Sequence, residues 1–187
     1  MNELIEKRRS TISFSPQPVE ESKVKLIFEA ARWAASSFNE QPWRFLYATQ
    51  TDKASFDKLA SCLFDGNLSW AGKAPLLILT ITKKSFSANG KPNRHSWHDV
   101  GLAVGNLSIQ ATELGLSLHQ MAGFDAKMAQ EIYQIPEDYE PVSMIALGYR
   151  EDIDKLDEKL QARENSPRSR KPLQEIVFNS KLPDSMI

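Results

Sequence analysis

Apolar residues recur along the chain at helical spacing in some stretches and as short runs in others, and the changes between them outline its elements. Within 20–35, Val24, Ile27, Phe28, Ala31, Ala34 and Ala35 fall at offsets 0, 3, 4, 7, 10 and 11, one face of an amphipathic helix. Glu20 and Glu21 stand near its start, where the dipole favours negative charge, and the helix must stop before Pro42. A longer face is formed by Val100, Ala103, Val104, Leu107, Ala111 and Leu114, at offsets 0, 3, 4, 7, 11 and 14. Leu102, Ile109 and Leu116 add apolar surface on its other sides, so this helix is expected to be buried nearly all round. Gly115 is placed to cap its end. Shorter helical patterns run through Leu4 and Ile5, through Phe56, Leu59, Ala60 and Leu63, and weakly through Ile153, Leu156 and Leu160.

Strands are expected at 44–49, 76–82, 117–121 and 142–149. The second of these is apolar but for two threonines and carries no charge, as in a strand covered on both faces. Residues 85–93 (SFSANGKPN) read as a loop, and so do 165–171. Residues 176–178 form an apolar patch in the tail that needs a surface to pack on, a partner subunit being one candidate. The pattern gives an α+β chain, helices packed on a small sheet.

At 187 residues the chain is expected to form one domain, 1–187, large enough for a proper core. Lys and Arg number 23 against 24 Asp and Glu, a net charge of −1, so no global field attracts nucleic acid or an anionic membrane. Cys62 stands alone, which fits a reducing compartment. The longest apolar run, APLLILTI at 74–81, is too short to span a bilayer. The N-terminal MNELIEKRRS lacks the apolar core of a signal peptide. A cytoplasmic protein is expected.

Two basic clusters carry candidate chemistry: Arg8-Arg9-Ser10, and Arg168-Ser169-Arg170-Lys171. A guanidinium fork matches phosphate oxygens and a serine hydroxyl adds a donor, so the two clusters together would hold a phosphate monoester; apart, they are solvated surface charge. The segment SSFNEQPW at 36–43 sets hydroxyl, amide and aromatic groups in a turn, either lining a polar ring system or only ending a helix. His95, His98 and Asp99 lack a further convergent metal ligand, and no metal is expected. Cys62 has no local base to make it a nucleophile. Gly101 and Gly105 follow no strand and suit close packing rather than a dinucleotide turn.

Taken together, KRRST at 7–11, SSxNxQPWxF at 36–45 and PRSRKP at 167–172 resemble the FMN-dependent nitroreductase family. Asp99-x-Gly101 with Asn106, AxxLGL at 111–116, AGFD at 122–125 and IALGY at 145–149 extend the likeness over nearly the whole chain, in the family's order. The resemblance implies a small mixed, mainly antiparallel sheet flanked by helices, in a homodimer whose C-terminal tails are exchanged. It implies FMN as cofactor. Arg8, Arg9 and Ser10 would grip the ribityl phosphate and nearby edge, with Arg168 and Arg170 closing on the phosphate from the end of the chain. Ser36, Ser37 and Asn39 would lie along the isoalloxazine ring, typically of the other subunit, with Gln41 nearby. Asn67 would meet the pyrimidine edge, and Ala122 and Gly123 would turn backbone N–H groups towards N5 and O4.

The activity implied is transfer of two electrons from NAD(P)H, by a ping-pong sequence, to nitroaromatics, quinones or similar acceptors, with no side chain acting as catalytic acid or base. Other reactions of the same fold (dehalogenation, or modification of flavin or another ring) are alternatives, as is a non-catalytic flavin-binding protein. Three positions depart from the family pattern. Ile12 stands where many members carry a cation near the pyrimidine edge, Trp70 where some carry a lysine, and Ala122 where some carry an acid. Fewer cations there would stabilise the anionic reduced flavin less and lower its potential.

Overall fold

The computed structural model describes residues 1–183. Its elements run α1 (Glu3–Lys7), α2 (Glu21–Arg32), β1 (Trp43–Thr49), α3 (Lys53–Ala60), α4 (Asp65–Ala71), β2 (Leu76–Lys83), α5 (Ser96–Glu113), β3 (Ser117–Met121), α6 (Ala126–Ile132), β4 (Tyr139–Gly148) and α7 (Glu158–Glu164). Short 3₁₀ turns lie at Ser37–Asn39, Ile153–Lys155 and Leu173–Glu175. The strands form one sheet in the order β1-β2-β4-β3. Each pairing is antiparallel, so no parallel pair stands among the described strands, although a mixed sheet is expected from the resemblance.

Successive side chains of a strand point to opposite faces, and β2 feeds two cores in this way. Leu76 and Ile78 join Ile145, Leu147 and Leu118 beneath Val24, Ile27 and Ala31 of α2 and Val100, Ala103, Val104 and Leu107 of α5. Leu77, Leu79 and Ile81 join Met144, Ala146 and Met121 on the other face, under Phe56 and Leu59 of α3, Trp70 of α4 and Ala129 of α6. With helices on both sides, a central strand has no solvent face to present, which is why 76–82 carries no charge and even its two threonines, Thr80 and Thr82, are buried. Between Thr80 and Ile81 the register shifts, leaving Val142 of β4 unpaired with β2. Pro141, which has no N–H, is tolerated there because β3 reaches only as far as Met144. Beside the bulge, Thr80 Oγ1 accepts from Ser143 N–H at 3.0 Å.

Four sequence expectations need correction. The helix α5 starts at Ser96 and is not buried all round: Gly101, Leu102, Gly105 and Asn106 are exposed, because α2 and the sheet cover only part of its circumference. The helix α2 ends at Arg32, short of Ala34 and Ala35, where the chain tightens through Ala34 N–H to Ala31 O and then becomes extended at Ser36. The 153–160 periodicity is not one helix. Leu156 is extended, and the Asp157 side chain starts α7 by accepting from Leu160 N–H. Two elements, α4 and α6, carry too few apolar positions in seven residues each to show a period. No helix among the described residues is long and apolar enough to cross a membrane.

Candidate functional site

The two basic clusters meet. The C-terminal segment returns to α1, where Arg168 donates from Nη1 to Arg8 O at 2.6 Å and from Nη2 to Glu6 O. Arg9 donates to Ser166 O at 3.4 Å, and Arg8 to Ser10 Oγ at 3.3 Å. Burial first, then the positive charges of Arg170 and Arg168, pull the Arg8 pKa below its ordinary value. Among the described residues no carboxylate lies within ion-pair distance of Arg8, Arg9, Arg168 or Arg170. Four guanidinium groups with no anionic partner are an electrostatic debt that an anion would cancel. Arg168 spends two of its five N–H donors on carbonyls, leaving three for a ligand.

A buried carboxylate holds this arrangement. Glu164, 2% exposed, accepts from Ile12 N–H at 2.7 Å through Oε1 and pairs with Arg150 at 3.1 Å through Oε2. It thereby ties the strand end at Arg150, the backbone just after Arg8-Arg9-Ser10, and the last turn of α7 just before Arg168.

A second group adjoins the first. Asn67 of α4 donates from Nδ2 to Gly123 O at 3.0 Å, and Phe64 N–H reaches the same oxygen at 3.3 Å. Asn67, Ala122 and Gly123 are thus brought together where β3 ends. His119, earlier on β3, lies over the Trp70 ring with centroids 4.6 Å apart, and its Nδ1 is 2.9 Å from Thr11 O. A carbonyl accepts only, so Nδ1 carries the hydrogen. Burial is the main reason that the His119 pKa lies below its ordinary value; Arg163 and Arg8 depress it further, while the Thr11 carbonyl and Glu164 oppose them. His119 and Trp70 therefore link the arginine cluster, through Thr11, to Asn67 and Gly123. Ile12 and Trp70 are buried in the core, and Ala122 is exposed.

The third group, Ser36, Ser37, Asn39 and Gln41, lies beyond the C-terminal end of α2. Asp99 of α5, 2% exposed, accepts from Ser37 N–H at 3.0 Å. Ser36 Oγ accepts from Gln41 N–H at 3.0 Å, and Gln41 Nε2 donates to Asn39 O at 3.3 Å. Phe38, Asn39 and Gln41 all have left-handed backbones, with φ of 52°, 55° and 51°. A cleft of about 290 Å³ is lined by Ser36, Ser37, His95, His98, Asp99 and Leu102. Asp99 turns inward to the serine backbone, and among the described residues no three His, Cys, Asp or Glu side chains are grouped as for a metal ion. No hydrogen bond or ion pair among the described residues joins this turn to the other two groups.

The model of the Nitroreductase family matches residues 5–74 and 61–149, which include the first cluster, the 36–41 turn and the Asn67–Gly123 contact. The chain belongs to the nitroreductase family. A similar protein is an uncharacterized 15.4 kDa protein of Mycolicibacterium smegmatis, 32% identical over 127 residues, 68% of this chain and 84% of that one. NADH dehydrogenase of Thermus thermophilus is 25% identical, with 92% of each chain covered. A solved structure described as an oxidoreductase containing FMN superposes with a TM-score of 0.90 at 30% identity, over 98% of this chain and 93% of the other. The nitroreductase fold thus accounts for the architecture, the antiparallel sheet included.

Three residues of the site escape sequence reasoning. Glu164 sits in a helix of weak periodicity, and His119 in a strand of five residues; neither has a neighbour in sequence that hints at its partners. Asp99 is visible in the sequence as a candidate metal neighbour and in the motif Asp99-x-Gly101, but not as the acceptor that fixes the serine turn.

Proposed function

We propose that this nitroreductase-family chain is an FMN-dependent oxidoreductase that takes a hydride from NAD(P)H and delivers two electrons to a nitroaromatic, quinone or similar acceptor. The observation that carries the reading is the gathering of Arg8, Arg9, Ser10, Arg168 and Arg170 from the two ends of the chain, without a carboxylate among them. Such a cluster fits a phosphate monoester, and the names of relatives supply the rest: one relative is an NADH dehydrogenase, and one structural neighbour is an oxidoreductase containing FMN.

FMN, when bound, would supply two-electron chemistry, by which NAD(P)H, a proton and a quinone become NAD(P)⁺ and a quinol. The residues of the chain bind and orient. Arg8, Arg9 and Ser10 hold the phosphate with Arg168 and Arg170. Asn67 meets the pyrimidine edge, and its amide is fixed by the Gly123 carbonyl. Ala122 and Gly123 offer backbone N–H groups. Ser36, Ser37, Asn39 and Gln41 serve the ring of a partner subunit, which explains why no bond joins them to the rest of the site within one chain. No side chain is assigned as a catalytic acid or base.

We read 1–187 as one domain that acts as a homodimer in the cytoplasm. The exposed Leu173, Ile176 and Val177 support a tail that packs on a second copy. Ile12 and Trp70 leave the pyrimidine edge with fewer cations, so the flavin potential is expected to be low for the family.

The test is spectroscopic. The purified protein is expected to show a two-banded flavin spectrum that bleaches on anaerobic addition of NADH or NADPH, with FMN released on heating. A protein that stays colourless after incubation with FMN would overturn the reading.

A further inference from the structure

Phe38 combines three properties seldom found together. It is 91% exposed, its backbone is left-handed at φ 52° and ψ 24°, and the backbone on either side of it is nevertheless fixed. For a bulky residue this backbone region is costly and persists only where the surroundings impose it. Here they do. The flanking Ser37 and Gln41 are fixed by Asp99 and Ser36, as described above.

A buried carboxylate then fastens a second aromatic ring beside the first. Glu40, whose side chain is 8% exposed, accepts from Ser87 N–H at 3.0 Å and from Ser87 Oγ at 2.6 Å. Lys83 Nζ donates to Ser87 Oγ at 2.6 Å and stands 3.7 Å from Glu40. Ser87 belongs to a closed loop in which Phe86 N–H donates to Lys91 O at 2.8 Å and Gly90 N–H to Phe86 O at 2.8 Å. Gly90 turns that loop at φ 69°. Phe86 meets Phe38 edge to face, with centroids 5.7 Å apart and ring planes at 86°. A fixed, braced and exposed aromatic ring is suited to stacking against a planar ligand.

We propose that Phe38, braced by Phe86, is a specificity-determining residue: the surface on which a planar aromatic acceptor stacks as it approaches the flavin. The inference rests on the function proposed above, in which Ser37 and Asn39, on either side of Phe38, lie along the isoalloxazine ring. Phe38 stands between them and leaves its ring exposed. The pair then favours nitroaromatics and quinones over acceptors that lack a π face.

The experiment compares flavin-loaded wild type, Phe38→Ala, Phe38→Trp and Phe86→Ala, with 2,4-dinitrotoluene and with ferricyanide, which offers no ring to stack. In Phe38→Ala the KM for 2,4-dinitrotoluene is expected to rise about tenfold, and the selectivity ratio of kcat/KM over ferricyanide to fall by the same factor. Phe86→Ala should give a smaller change in the same direction, and Phe38→Trp should restore the ratio. An unchanged ratio in Phe38→Ala, or equal losses with both acceptors, would overturn the assignment. So would loss of FMN or dissociation of the assembly in that variant, since Phe38 would then be a structural or interface residue. A wild-type protein that holds no reducible FMN would overturn the proposed function and this inference with it. A flavin-bearing, NAD(P)H-reducible wild type with an unaltered Phe38→Ala would overturn this inference alone.

Discussion

Gly123 is a glycine for a reason that can be measured. A Cβ at this position would stand 2.6 Å from Asn67 Nδ2, closer than any real contact, and the amide would have to swing away from the Gly123 carbonyl. Because the obstacle is the end of a side chain, the fold can yield where the site cannot. Gly123→Ala is therefore expected to weaken FMN binding about tenfold, followed by quenching of flavin fluorescence, with little change in melting temperature. Unchanged affinity would remove Asn67 from the flavin edge. At this scale the sequence was informative where a residue type carries its own chemistry. Arginine beside serine reads as an anion site only if folding brings the two clusters together, and they do meet. It was silent where a role comes from a neighbour: nothing in the sequence around His119 points to Trp70 and Thr11, and nothing around Phe38 points to Phe86.

Among the elements, α7 has a role out of proportion to its seven residues. Its Glu164 joins Ile12 N–H to Arg150 and so sets the distance between the two basic clusters. Glu164→Gln keeps an oxygen for Ile12 N–H but removes the charge facing Arg150. The expected cost is about 1–3 kcal/mol in urea unfolding, together with looser retention of FMN. Full stability with full retention would show that the two ends of the chain are held by other means. Strands were the most legible elements, because a short run of apolar residues with a sharp boundary survives in five to ten residues; β3 in particular coincides with its expected span. The short helices α4 and α6 were not legible. About two turns bury only Trp70 and Ala71 in the first and Ala129 in the second, too few positions to mark a face.

For the molecule as a whole, composition excluded more than it revealed, and the joint order of weak motifs revealed the family. The structure adds a reason for that order. The first and last motifs lie far apart in sequence because the site closes only when the C-terminal segment returns to α1, through Arg168 to Arg8 O. Half of the expected ring-lining set stands apart from this closure in one chain, on the α2–α5 side of the sheet, as the dimer reading requires. The stripe of Gly101, Leu102, Gly105 and Asn106 on α5 is exposed, and in the proposed homodimer it would be available to a second copy.

The central claim is that the chain ends build a site for the phosphate of FMN, and affinity for FMN relative to riboflavin tests it most directly. The two ligands share the ring and the ribityl chain and differ only in the phosphate. Two charge-assisted contacts at about 1.5–3 kcal/mol each make FMN roughly a hundredfold or more the tighter ligand, and Arg168→Ala should remove most of that preference. Equal affinity for FMN and riboflavin in the wild-type protein would contradict the claim.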